Sequence, residues 1–358
     1  MTNQKNTAAS VLGRYAMITS FAGHDGTGIS TLLLAKRYKV HGAFPRTSAM
    51  NFWRIDQFGT QNFPQLQSVE TDLTGLDLST ELVQKSKPDE IFKLTLQRFA
   101  AASCNRPATT LQITGLGALS RLGTIWLLNT KVRFFQACTS EMFGNVRAIP
   151  QREETPFRAS IAFGVAKRFP NRVTVNYRES YRIVGSSGDL FKCERRLRRR
   201  LPVTQEVTDS AARVKIQLPE APELGNFDAE RDRGFSKEHA DGRWRMRQAD
   251  EPDVFVSATQ RTETVWALVR GAFKATRMEL DFRGQADDEI AVDIGTSTGG
   301  TFFRIAPEFR RPAEGGLLIE EPTKARLKLG CQSSTTMEHL CAMMMQADLC
   351  RNVPGVLF

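Results

Sequence analysis

The stretch ASIAFGVAKRFPN, residues 159–171, sets the amine of Lys167 four residues after the ring of Phe163. Four residues is a little over one helical turn, so ring and amine share one face. Such a pair handles protons only if the ring carries a hydroxyl, and Phe163 has none. A second stretch, TSFAGHDG (Thr19–Gly26), is a glycine-bearing turn between a strand-like and a helix-like segment. A turn of that kind can aim backbone amides at a phosphate, and its usual form is G-x-x-G-x-x-G. Here Ser20 stands at the first glycine, followed by Gly23 and Gly26. Two glycines alone are equally what a plain structural turn requires. A side chain at Ser20 crowds an approaching pyrophosphate without forbidding it. Metal chemistry is not expected: the six cysteines (104, 138, 193, 331, 341, 350) form no C-x-x-C pair, and there are four histidines.

The elements that must position these groups follow from periodicity. RYAMITSFAGHDGTGISTLLLAKRYKVHG predicts a strand at Tyr15–Thr19, the turn, a helix over about Thr27–Arg37, and a strand at Lys39–Gly42. QLQSVETDLTG and PDEIFKL are two further strands, with a helix around Leu76–Lys85 between them. TKVRFFQACTSEMFG is a strand running into a loop, and TPFRASIAFGVAKRFPNRVTVNYRESY is a helix that Pro170 is expected to kink or end. Alternating β and α at this spacing implies right-handed crossovers and a Rossmann-type, doubly wound parallel sheet in an α/β protein. The expected layout is a tail at 1–13, a dinucleotide-binding-like domain at 14–190, and a smaller α/β substrate-type cap at 191–358, from which segments can return to the first domain. Past about residue 190 the pattern is irregular, ending in a helix near Thr336–Asp348. Residues 283–303 read as a loop with a short strand.

Length and composition suit a globular protein with a sizeable core: 358 residues, 41% apolar and 25% charged. No apolar stretch approaches the roughly 18 residues of a membrane span. The scattered cysteines fit a reducing compartment. Residues 1–24 hold Lys5 and Arg14 and no acid, a slight lean towards a mitochondrial over a cytoplasmic setting. The net charge of +10 comes from 35 arginines against 14 lysines. Such a surface suits an acidic protein or an RNA-containing assembly, though genome composition gives the same bias. The runs ERRLRRRLP at 194–202 and GRWRMRQ at 242–248 are the expected docking surface, and no aromatics are interleaved in them for base stacking.

The stretches LLLAKRYKVHG, KPDEIF, RFFQACTSEMFG, TPF with GVAK, VTVNYRESY, LGNFDAERD, FRRPAE and EPTKARLKLG occur collinearly along nearly the whole chain. Through them the sequence resembles the GDP-mannose 4,6-dehydratase family, extended short-chain dehydrogenase/reductases that use NADP. The resemblance implies that Ser20, Gly23 and Gly26 face the cofactor pyrophosphate, that Arg46 holds its 2′-phosphate and that Asp72 reads adenine. Pro45 replaces a second family arginine and argues against the family's tetramer, leaving a homodimer. In the strand that reads NLAAQ in the family, this chain has KLTLQ, Lys93–Gln97. Thr95 and Leu96 add bulk and Lys93 a charge where the cofactor lies; overpacking a fitted space commonly costs about 1–3 kcal/mol.

The family reaction oxidises C4 of the mannose, eliminates water across C5–C6 and returns the hydride to C6. The resemblance places Thr139 to orient the sugar, Glu141 to act at C5 and Lys167 to activate a tyrosine whose position is Phe163. Losing a positioned acid/base costs about 10²–10⁴-fold in rate. Glu194, Arg231, Arg311 and Glu314 match residues on the nucleotide-sugar side. With lesions at Ser20, Lys93, Thr95, Leu96, Phe163 and Pro170, the expected protein is a non-catalytic relative with no bound cofactor. It would serve as a structural or interaction subunit among protein subunits of a larger assembly. The alternatives are an active dehydratase that converts GDP-mannose to GDP-4-keto-6-deoxymannose with NADP, or a nucleotide sensor without turnover.

Overall fold

The structure, a computed structural model, describes residues 13–45, 55, 63–71, 76–95, 100–128, 131–146, 148–190, 192–194, 203–216, 223–224, 228, 230–284, 290–293, 301–305 and 319–352. The chain divides into two compact units. The first comprises Met1–Phe191, Ser236–Ser257 and Glu320–Gln332. Its main elements in chain order are β1 (Tyr15–Thr19), α1 (His24–Ala35), β2 (Lys39–Phe44), β3 (Leu66–Glu70), α2 (Leu76–Ser86), β4 (Glu90–Lys93), α3 (Gly117–Leu128), β5 (Arg133–Ala137), α4 (Ala162–Tyr181), β6 (Gly185–Leu190), α5 (Ser236–Gln248), β7 (Val254–Ser257) and α6 (Thr323–Leu329). All seven strands pair in parallel in the order β7-β6-β5-β4-β1-β2-β3. This is the doubly wound Rossmann-type sheet that the alternation of elements implies.

Period-two strands separate two cores. Ala16 and Ile18 of β1 pack with Ile29 and Leu33 of α1, Ala240 and Met246 of α5, and Ala325 of α6. Met17, one residue out of phase, faces the other way, with Ile91, Leu122 and Ile125 of α3, and Phe134. The strand cores are buried on both faces, as a sheet sandwiched between helices requires. The C-terminal ends of β1, β4 and β5 therefore meet at the centre of the sheet, where the order turns back. That crevice is where ligands of open α/β sheets bind.

The helix α4 does not end at Pro170. It runs unbroken from Ala162 to Tyr181. Proline lacks the amide that would bond Ala166, and the Ala166 carbonyl instead lies against Gly115, which has no side chain to crowd it. The proline itself is buried, so packing offsets the missing hydrogen bond.

The second unit comprises Lys192–Phe235, Ala258–Ile319 and Ser333–Phe358. Its three-stranded sheet orders Thr262–Glu263, Arg231–Phe235 and Lys192–Glu194. A four-stranded sheet orders Leu280–Arg283, Ile290–Asp293, Thr301–Ile305 and Glu223–Leu224. Where one short strand in a loop is expected over 283–303, the described residues include two paired strands, Ile290–Asp293 and the start of Thr301–Ile305. Helices Val203–Lys215, Val265–Ala275 and Met337–Asn352 share a core of Val207, Leu268, Phe273, Ala291, Cys341 and Met345. No helix among the described residues is long and apolar enough to cross a membrane.

Candidate functional site

The turn after β1 is shaped for close approach. Ser20 adopts φ +61°, the left-handed region that favours glycine. An L-residue there costs about 1–2 kcal/mol. Its amide donates to the Ala43 carbonyl at 2.9 Å, and its own carbonyl accepts from Gly23 at 2.9 Å. A Cβ on Gly26 would lie 2.2 Å from that same Ser20 oxygen, so only glycine lets α1 start this close to the strand. Gly23 caps α1 with extended backbone and contributes no side chain. The backbone of a phosphate turn is therefore kept although its first glycine is not.

Behind that turn lies an ion pair the sequence does not announce. Arg243 Nη2 of α5 meets Asp25 Oδ1, in the first turn of α1, at 2.7 Å. Burial alone would raise the Asp25 carboxyl, but the Arg243 charge, with help from His24, holds it well below the usual carboxylate range. His239, one turn earlier on α5, is buried against Ser257 Oγ at 3.2 Å. Burial and the Arg243 charge push it down to about 4. The run GRWRMRQ is thus not a docking surface: Arg243 and Arg247 are wholly buried, and Arg245 is paired with Asp241. A helix wedged against α1 and β6 has no solvent face at those positions. The only signal in the sequence is the four-residue spacing of Arg243 and Arg247, which puts both on one face. Of the run 194–202, only Glu194 lies within the described residues.

At the end of β4, Lys93 is fully buried and points beneath the π-helical turn Gln112–Leu116. Its Nζ donates to the carbonyls of Thr114 at 2.6 Å and Thr95 at 3.1 Å. Burial, and then the neighbouring Lys167 and Arg121 charges, push its amine well below the usual lysine range. The charge expected over the cofactor floor is thus turned sideways into the interior. Thr95 is also buried, its amide held by Thr19 Oγ1 at 3.2 Å, and Leu96 lies outside the described residues.

Four positions named from the sequence come together at the end of β5. Thr139 caps the short turn Ser140–Met142, accepting from the Glu141 amide at 3.4 Å. The start of α4 presses on that turn: a Cβ on Gly164 would sit 2.3 Å from the Glu141 carbonyl oxygen. This close approach brings Phe163 and Lys167 alongside Thr139 and Glu141. The phenyl ring of Phe163 is half-buried and offers no proton. Lys167 is buried, and its Nζ donates to the Ala137 carbonyl at 2.7 Å. The arrangement can orient a polar ligand through Thr139 and Glu141 but has no group at 163 to take a hydroxyl proton.

Glu194 and Arg231 belong to the second unit. Glu194 is buried and accepts from Thr204 Oγ1 at 2.7 Å, and Arg231 donates to the Glu230 carbonyl at 2.7 Å. Next to it, burial raises the Asp232 carboxyl to about 6 against the amides at 259–261. Arg46, Asp72, Arg311 and Glu314 lie outside the described residues. Among the described residues no cluster of histidine, cysteine or acid could hold a metal.

A nicotinamide dinucleotide fits this site only in part. The pyrophosphate turn has the backbone shape and the glycine-lined approach it needs. At the reactive end, position 163 carries no hydroxyl, and the Lys167 amine donates to the Ala137 carbonyl.

Comparison with known proteins bears on family and fold. A model of the GDP-mannose 4,6 dehydratase family matches residues 17–344. A GDP-mannose 4,6-dehydratase of Yersinia enterocolitica is 38% identical over 347 residues, covering 93% of both chains. GDP-mannose 4,6 dehydratase 2 of Caenorhabditis elegans is 35% identical, covering 94% of this chain and 89% of its own. Among solved structures, the UDP-glucose 4-epimerase of Thermotoga maritima with UDP-glucose superposes with TM-score 0.76 at 17% identity, covering 94% and 98% of the two chains. The Thermus thermophilus UDP-glucose 4-epimerase in complex with NAD gives TM-score 0.75 at 16% identity, covering 95% and 99%. At those identities the structures speak for the fold alone.

Proposed function

The chain belongs to the GDP-mannose 4,6-dehydratase family, and from that premise we propose that it is a non-catalytic member acting through binding to other protein subunits. The observation that carries this reading is the pair at 163 and 167. The ring position one turn before the lysine is a phenylalanine, so the buried amine, which donates to Ala137, has no phenol beside it to activate. Without a proton acceptor at the sugar hydroxyl, oxidation there loses about 10²–10⁴-fold from this cause alone. Ser20 and Thr95 add strain and bulk along the cofactor's path. The phosphate turn could still take a nucleotide's diphosphate, which would make any NADP or GDP-sugar a bound ligand rather than a reactant.

A second reading has a specific observation behind it. Thr139, Glu141 and Lys167 are all kept and assembled at one strand end, and the curated relatives compared above are named as dehydratases. On that reading the protein converts GDP-mannose to GDP-4-keto-6-deoxymannose with NADP. One experiment separates the two. Purified protein incubated with GDP-mannose and NADP is expected to yield no 4-keto sugar nucleotide by chromatography and mass spectrometry. Turnover above the background of a heat-inactivated control would overturn the non-catalytic reading.

A further inference from the structure

The end of the sheet away from the phosphate turn holds more buried positive charge than its neighbours balance. Glu90 and Arg133 stand level at the starts of β4 and β5, and Ser186 lies near the start of β6. The end of α5 closes over them. Arg133 Nη2 donates to the Ala249 carbonyl, Arg247 Nη1 to Ser186 Oγ at 3.4 Å, and Gln248 Nε2 to Glu90 Oε1 at 2.9 Å. Glu90 is fully buried, and the same Oε1 also takes Arg14 at 3.2 Å and the Tyr38 hydroxyl at 3.1 Å. The one interior carboxylate is thus matched with Arg14.

Arg247 has no such counter-charge. Its side chain is wholly buried, and among the described residues its Nε and Nη2 donate to nothing; nor does the buried Nε of Arg133. Arginine keeps its proton in proteins, and burying a charge is costly unless an opposite one is paired with it. Burial pulls the Arg247 guanidinium down to about 9; Glu90 attracts it without forming an ion pair, and Arg133 repels it. That repulsion sets the two guanidinium groups near each other. Asp89, Asp250 and Glu251, the acids adjoining these segments in the chain, are exposed. The carbonyl end of α5 offers roughly half a unit of negative charge, and Arg133 already draws on the Ala249 oxygen. Water can occupy idle donors and can bond the unpartnered Glu90 Oε2, but it carries no charge. Only an anion meets both deficits at Arg247.

We propose that this place, between the starts of β4, β5 and β6 and the last turn of α5, binds one small monovalent inorganic anion of the halide kind. Arg247 Nε and Nη2 and Arg133 Nε are its donors. One negative charge matches the one cation that solvent cannot reach, since Arg133 is only half-buried. The site lies at the other end of the strands from the phosphate turn and is independent of sugar-nucleotide turnover.

The test is thermal unfolding of the full chain at fixed ionic strength, with sodium chloride exchanged for sodium gluconate, whose anion is too bulky to enter. Chloride is expected to raise the melting temperature by about 2 °C or more for each tenfold increase above its dissociation constant. Broadening of the chloride-35 resonance, relieved by bromide, reads binding to the folded protein. Arg247→Met is expected to remove both effects, and Arg133→Gln to weaken chloride about tenfold. Subtracting the Arg247→Met response removes general salt effects on stability. Far-UV circular dichroism checks each fold; Arg247→Lys, which keeps the charge but loses the two-pronged donor, is the second variant and is expected to weaken chloride as well. Equal chloride responses in wild type and both Arg247 variants overturn the proposal, leaving water on the donors. Broadening that persists unchanged in those variants means an adventitious ion only and overturns it too. So does a chloride effect abolished by saturating inorganic pyrophosphate, which would put the ion on the turn after β1.

Discussion

Arg243, without solvent exposure, holds Asp25 at 2.7 Å and so ties α5 to the first turn of the helix that starts the phosphate turn. Replacing Asp25 by Asn takes that carboxylate's charge away from the buried guanidinium. Breaking a fully buried pair from one side costs about 3–5 kcal/mol. Asp25 keeps 34% of its side chain in water, so about 2 kcal/mol is the expected loss at neutral pH. Because the folded carboxyl is depressed, its contribution is present above the unfolded value of about 4 and disappears as acid titrates the folded form. Urea unfolding should therefore show wild type and Asp25→Asn converging at low pH. A gap of the same size at pH 3 and pH 7 would contradict the ion pair.

His239 gives a second acid-sensitive window. Its folded value of about 4 lies below the unfolded value of about 6.5, so the unfolded chain binds the extra proton between them. Stability is expected to fall as pH drops from about 6.5 to 4, by an amount on the order of 2–3 kcal/mol. A His239→Gln variant should flatten that slope while leaving the Asp25 window in place. Melting temperatures across pH 4–7 measure it directly.

Ser20→Gly should stabilise the fold. The residue already sits at φ +61°, where glycine pays no steric penalty, and the gain is roughly 1 kcal/mol. Gly26→Ala should do the reverse and severely, since its new carbon would be 2.2 Å from the Ser20 oxygen. Thermal unfolding of the pair tests the turn geometry; a tolerated Gly26→Ala would mean that α1 does not start this close to the turn.

Phe163→Tyr restores the missing hydroxyl one turn from Lys167. On the reading proposed above, the variant is still expected to form no 4-keto sugar nucleotide, because Ser20 and Thr95 add strain and bulk along the cofactor's path. Product formation by Phe163→Tyr alone would show that the phenol was the single defect.

Much of this was legible locally. Tyr15–Thr19 and Leu76–Lys85 stand where periodicity puts a strand and a helix, to within a residue. Residues 185–190, GSSGDL, carry no strand signature, and only pairing between β5 and β7 makes them one. Glycine and serine there have low strand preference and are tolerated because Gly188 lies against the Phe135 ring and the Met246 sulfur. Of the expected kink or end at Pro170, the end does not occur: the helix continues to Tyr181, and the Ala166 carbonyl lies near Gly115.

The candidate site divides the same way. That Phe163 has no hydroxyl needs no coordinates, and neither does the strand–turn–helix around Gly23 and Gly26. The inward turn of Lys93 and the burial of Arg243 and Arg247 needed the assembled fold. The sequence by itself determined the parallel α/β scaffold and the absence of a hydroxyl at position 163, because periodicity and side-chain chemistry are properties of neighbouring residues. Only the tertiary structure decided where each charge points, because that depends on what distant segments pack against it.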